Sequence, residues 1–244
     1  MRVAVILPAA GLGTRMGRAA AEKTGTSRKQ FMLLEGSPIL IHTVRKFASI
    51  SAVAEIVIAV RAEDVDWVAE MMAGEFAAGR ARVVEGGNSR QQSVANALAS
   101  LAADADLVAV HDAVRPFIET ETIHKVFDEA AATGAAIVGV PVIDTVKQVS
   151  HGTGRVKIRG TLQREKLVLA QTPQVFRYEL LMRAFELARK DGFTGTDESS
   201  LVERLDMEVS VVLGSDRNIK ITKPGDMDLA HLYFREFATK ESGR

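Results

Sequence analysis

Short apolar runs separated by helical stretches are the feature that most limits how this chain can fold. Met1 to Leu7 reads as a buried strand, with Val3, Val5, Ile6 and Leu7 in a run of the length expected for an interior parallel strand. Glu55–Val60, Ala81–Val84, Leu107–Val110 and Ala136–Val140 repeat the pattern. Helical periods lie between them. Pro38–Ala48 carries Ile41, Val44 and Ala48 on one face, and Glu63–Phe76 carries Val65, Val68, Met72 and Phe76. Trp67 sits on that second helix, where packing is the simplest role for it. Ser89-Arg90-Gln91-Gln92 forms a capping box that opens a helix with Val94, Leu98 and Leu101 inward. Glu119–Thr133 is a further helix, closed by Gly134. This rhythm predicts an α/β fold: a mostly parallel, doubly wound sheet with helices on both faces.

The rhythm breaks after Val140. Val142–Lys147 and Arg155–Arg159 read as two strands joined by Ser150-His151-Gly152-Thr153-Gly154. The segment from about 142 to 164 is therefore expected to project as a β-hairpin arm. Exposed arms tend to pair, so a second subunit is a natural cover. The pattern resumes with Val168–Ala170, a helix over Tyr178–Lys190, a short helix near Thr196, a strand at Val209–Leu213 and a helix over Pro224–Phe237. No linker divides the chain, so all 244 residues are read as one domain. No apolar run approaches the ~20 residues of a membrane span. With no cleavable leader visible, a cytoplasmic location is expected. Zero cysteines removes thiolate zinc sites and cysteine nucleophiles. The 31 basic and 31 acidic residues balance, which argues against a nucleic-acid partner.

Against that neutral background, the loop after the first strand stands out. Pro8-Ala9-Ala10-Gly11-Leu12-Gly13-Thr14-Arg15-Met16 joins two glycines, which admit a close ligand, to a permanent cation with forked donors. Arg18, Lys23, Arg28 and Lys29 follow, with only Glu22 opposing them. This suits a polyphosphate. A dinucleotide fingerprint would need glycine where Met16 stands, and residues 17–29 lack the helical period it requires. Ligands of open α/β sheets sit beyond the carboxyl ends of the strands. Asp112, directly after Leu107–Val110, suits either a metal held with phosphates or the bracing of a turn. His111 reads as structural. Arg115 suits ligand binding or loop bracing equally, and Lys220 by its alternation reads as solvated.

The segments PAAGLGTRM (8–16), KQF (29–31), EGGNSRQQSV (85–94), VHDAVRPF (110–117), PVIDTVKQ (141–148), TPQVF (172–176), TDE (196–198) and NIKIT (218–222) occur in one order. Together they resemble the 2-C-methyl-D-erythritol 4-phosphate cytidylyltransferases of isoprenoid precursor synthesis. That resemblance implies transfer of CMP from CTP to the polyol phosphate, with Mg²⁺ across the triphosphate. It implies that Arg15, Lys29 and Lys220 serve catalysis and that Asp112 binds Mg²⁺. Ala9, Ala10, Gly11, Gly13, Gly87, Asn88 and Ser93 would receive the nucleotide. Arg115, Thr145, Arg164, Thr172, Thr196 and Lys220 would hold the second substrate. Thr145 and Arg164 would serve the neighbouring protomer's site through the arm of a homodimer. Ribitol 5-phosphate cytidylyltransferases and a non-catalytic nucleotide-binding protein are the rival readings. Two departures from the family pattern are Asn88 at a usual Asp position and a longer loop between Met16 and Lys29, read as a mobile lid, in which Arg28 replaces a usual Pro.

Overall fold

The computed structural model describes residues 1–12, 28–76, 80–102, 104–152 and 155–242. The chain runs β1 (Val3–Pro8), β2 (Leu33–Leu34), β3 (Ser37–Pro38), α1 (Ile39–Ala48), β4 (Val53–Val60), α2 (Val65–Glu75), β5 (Ala81–Glu85) and α3 (Arg90–Ala99). It continues with β6 (Leu107–Val110), α4 (Thr120–Thr133), β7 (Ala135–Pro141), β8 (Lys147–Gly152), β9 (Arg155–Thr161), β10 (Val168–Arg177) and α5 (Tyr178–Asp191). It ends with α6 (Ser199–Val202), β11 (Ser210–Leu213) and α7 (Pro224–Ser242). Seven strands form the central sheet in the order β11-β7-β10-β6-β1-β4-β5.

Alternation along β1 explains why the sheet is covered twice. Val3, Val5 and Leu7 point to one face, where α1, α2 and α4 supply Phe47, Val68 and Phe127. Ala4 and Ile6 point to the other, where α3 and α5 supply Leu98, Leu181 and Phe185. A strand buried on both faces must be apolar at every position, which is why β1 and β6 read as unbroken runs. A smaller cluster holds α7 against β2 and the turn after β6, through Leu34, Val114, Phe117, Ile221 and Met227. Gly134 ends α4 at φ 97°, a left-handed conformation that a side chain would strain. Trp67 packs edge-on against Phe31 and donates its indole N–H to Asp64, as a packing role requires.

Two elements differ from the sequence reading. The first arm strand begins at Lys147, not at Val142. Residues 142–146 alternate like a strand but form an irregular stalk, tied by the Leu162 N–H to Val146 O and by Arg164 to Ile143 O. The resumed strand is also ten residues long and antiparallel to both β6 and β7. The hairpin excursion reverses the chain, so β10 returns down the sheet that β7 climbed. Its pairing shifts register between Ala170 and Gln174. That places Thr172 just beyond the carboxyl end of β6, since Gln174 lies opposite Val110.

β8 and β9 form a separate two-stranded sheet. Val149, Val156 and Ile158 on it are exposed, as are Ile143, Leu162 and Leu169 at its base.

Candidate active site

The carboxyl ends of β1, β4, β5 and β6 open into a cavity of about 450 Å³. Its rim is built by three devices. Gln30, from the KQF turn, is 1% exposed and donates to the carbonyls of Ala9 (2.6 Å) and Gly11 (3.2 Å). It thereby clamps the glycine-bearing loop after β1. Ser89 caps α3 by accepting from the Gln92 N–H at 3.1 Å. The reciprocal bond falls one residue earlier than expected: Gln92 accepts from the Asn88 N–H at 3.0 Å, because the loop curls inward over the helix start. Gly87 completes this curl, and a Cβ there would lie 2.6 Å from Gln92 Cβ. Ser93 holds the same turn, accepting from the Gly87 N–H and donating to Ser89 O.

Asp112 lies at the floor. It is 6% exposed, and its two oxygens meet three cations. Oδ2 lies 2.9 Å from Lys220 Nζ and 3.1 Å from Arg115 Nε, while Oδ1 lies 3.3 Å from Arg90 Nε. Burial pushes this carboxyl's pKa up. Lys220 first, then Arg90 and Arg115, outweigh burial and hold it well below the usual carboxylate range. Lys29, Arg61, Arg90 and Lys220 line the cavity, with Asp112 the sole carboxylate among its described lining residues. The N-terminus of α3 faces the same space and favours anions.

Thr172 reaches Asp112 because β10 is antiparallel. Its hydroxyl accepts from the Asp112 N–H at 3.0 Å and lies 3.1 Å from His111 Nδ1. His111 Nε2 lies 3.0 Å from the Arg115 carbonyl. One tautomer satisfies both contacts: Nε2–H donates to the carbonyl and Nδ1 accepts from threonine. His111 is thus structural, as read. Lys220 is not merely solvated, since it pairs with Asp112, and Arg115 braces the floor from outside the cavity lining, pairing with Asp112 and donating to the Asn218 carbonyl. Asn218 is buried and ties the lysine's loop to β10, donating to Gln171 Oε1 and Thr172 O.

Of the other expected residues, Ala9, Ala10, Gly11, Gly87, Asn88, Ser93 and Lys29 all line the cavity. Thr145 and Arg164 lie on the arm, and Thr196 on the loop before α6, outside its lining. Gly13, Arg15 and the expected lid lie outside the described residues. The sequence reading missed Arg61, Arg90 and Glu198. Arg90 was legible only as part of a cap, although a cation at the first position of a capped helix is out of place electrostatically. That misfit was the signal.

A capped helix start and four cations lining one cavity with a single carboxylate, at the strand ends of a doubly wound sheet, suit a polyphosphate, and the family to which the chain is matched is one of nucleotidyltransferases. A family model described as IspD, 2-C-methyl-D-erythritol 4-phosphate cytidylyltransferase, matches residues 3–236. The chain belongs to that family. It is 73% identical over 242 residues to the 2-C-methyl-D-erythritol 4-phosphate cytidylyltransferase of Solibacter usitatus, covering 99% of each chain. It is 52% identical to that of Acidobacterium capsulatum, covering 98% of this chain and 100% of the relative. Among solved structures, the cytidylyltransferase of Thermus thermophilus superposes with a TM-score of 0.74 at 32% identity, over 96% of this chain and 100% of that one.

His111 generates a pH prediction. Burial pushes its pKa down to about 4, against the pull of the Arg115 carbonyl and Asp112. The unfolded chain, with a pKa near 6.5, takes up the proton first as pH falls. Stability from this group is therefore full above pH 6.5 and is lost as pH falls toward 4. Urea unfolding without added metal should show a loss of about 2 kcal/mol between about pH 7 and pH 5. His111→Gln should remove most of that slope, and an unchanged slope would reject the assignment.

Proposed function

We propose that this chain transfers the cytidylyl group of CTP to 2-C-methyl-D-erythritol 4-phosphate. An oxygen of the substrate phosphate attacks the α-phosphorus in line. The bond from the α-phosphorus to its bridging oxygen breaks, and pyrophosphate leaves with the electron pair. The products are 4-diphosphocytidyl-2-C-methyl-D-erythritol and pyrophosphate. The observation that carries this reading is the cavity itself: four cations and a helix N-terminus around one carboxylate, in a chain of this family.

The protein needs no covalent step for this chemistry. Positioning two anions and neutralising the charge that develops between them does the work. Lys29 and Lys220 both line the cavity and stabilise the transferring and leaving phosphates. Arg15 joins them in this reading on the strength of the family resemblance. The loop after β1 and residues Gly87, Asn88 and Ser93 receive base and ribose. Arg115, Thr172, Thr196 and Lys220 hold the second substrate.

The donor set fits a magnesium ion that arrives with the triphosphate. No group of three acidic or histidine side chains able to cage a metal occurs among the described residues, whereas the ionised Asp112 offers one carboxylate beside a phosphate-binding surface. Bound there, Mg²⁺ would neutralise triphosphate oxygens.

The exposed apolar residues of the arm support a homodimer in which β8 and β9 cover the partner. Thr145 and Arg164 would then complete the neighbouring site. No described helix is long and apolar enough to cross a membrane. A cytoplasmic location, expected from the sequence, belongs to the same proposal.

Three measurements test the reading. Pyrophosphate release from CTP and Mg²⁺ should be fast with methylerythritol phosphate and absent with ribitol phosphate. Release with ribitol phosphate alone would keep the chemistry and replace the substrate, and silence with both despite CTP binding would leave only a nucleotide-binding protein. Lys29→Ala should lower turnover by several orders of magnitude with a modest loss of CTP binding, and an unchanged rate would remove Lys29 from the mechanism. Sedimentation equilibrium should return twice the chain mass of 26.4 kDa. Val156→Asp combined with Ile158→Asp should yield inactive monomers, whereas an active monomer would refute the shared site.

A further inference from the structure

Arg90 is divided between two acids from different elements. Its Nη1 lies 2.7 and 2.9 Å from the two oxygens of Glu198, whereas its Nε lies 3.3 Å from Asp112 Oδ1. The shorter and doubled contact is the stronger one, so Glu198 controls where the guanidinium rests. Glu198 is itself immobilised. It is 1% exposed, and its backbone N–H donates to Gln174 Oε1 at 3.1 Å, as does that of Ser199 at 3.0 Å. Gln174 in turn donates to Asp197 Oδ2 at 2.8 Å. Gln91 ties the same loop to α3, accepting from Gly195 N and donating to Phe193 O.

The consequence falls on Asp112. Its Oδ2 is engaged by Lys220 and Arg115, while Oδ1 keeps, among the described residues, only the long contact with Arg90. Were Arg90 released, its forked donors would turn fully onto Asp112 and occupy that oxygen. We infer that Glu198 is a positioning residue that restrains Arg90 and so keeps Asp112 Oδ1 available to the incoming nucleotide and its cation. The inference rests on the reading that Asp112 serves the metal-bearing triphosphate.

The test separates these two levels. CTP binding is measured by calorimetry without the second substrate, once with Mg²⁺ and once with EDTA, alongside turnover. Asp112→Ala should abolish the gain in affinity that Mg²⁺ brings. If that gain survives at its wild-type size, the reading of Asp112 falls and the inference falls with it. Glu198→Ala should cut both the gain and kcat by about ten- to a hundredfold, leaving affinity in EDTA within about twofold. Adding Glu198→Ala to Arg90→Ala should cost less than about a further twofold, since the acid acts through the arginine. Glu198→Gln, which keeps the shape without the charge, covers the case in which the alanine variant does not fold, and should shift the same quantities in the same direction. Wild-type gain and kcat in a folded Glu198 variant, or fully additive losses with Arg90→Ala, would overturn the proposal.

Discussion

A carboxylate buried at a strand end stays charged only if cations come to it, and much of this site follows from meeting that demand for Asp112. The residues that answer are far apart in sequence: Arg90 from α3, Arg115 from the turn after β6, and Lys220 from the loop after β11. Each cation, or the loop that carries it, is held in place by a further contact. Arg90 has Glu198. Arg115 has the Asn218 carbonyl. The lysine's loop is tied by Asn218 to Gln171 and Thr172 and by the Ile221 N–H to Val114 O. One charge thus recruits loops from across the sheet into a single network.

The antiparallel strand makes this possible. In a wholly parallel sheet, the loops at the carboxyl ends come from strand ends alone. β10 runs the other way, so the middle of the strand passes the mouth of the site. Thr172 braces Asp112 and His111 from there, and Gln174 fixes the loop that carries Glu198. The arm that reverses the chain therefore shapes the site even before any second subunit is considered.

Much of this was legible in the sequence. The buried strands announced themselves because burial on both faces leaves no room for polar residues, and the helix ends because Ser89 and Gly134 suit only a few backbone conformations. Site residues directly after a strand, such as Asp112, were placed by the topology rule alone. Lys220 and Arg90 were not. Alternation assigned Lys220 to solvent, and local capping explained Arg90, because no short-range pattern reports an ion pair to residue 112 across more than a hundred positions or across a helix. The stalk at 142–146 was misread for a similar reason: its alternation is real, but its partners, Leu162, Arg164 and Leu167, come from beyond the hairpin.

Equal numbers of acidic and basic residues leave the molecule without a long-range field, yet the cavity gathers four cations around one carboxylate. Its potential is therefore short-ranged. At physiological salt it fades over a Debye length of about 8 Å, so an anion feels the pull only at the cavity mouth. The zero net charge gives a polyanion no long-range pull toward the molecule as a whole. A triphosphate small enough to enter falls into a steep well, and its capture slows as ionic strength rises.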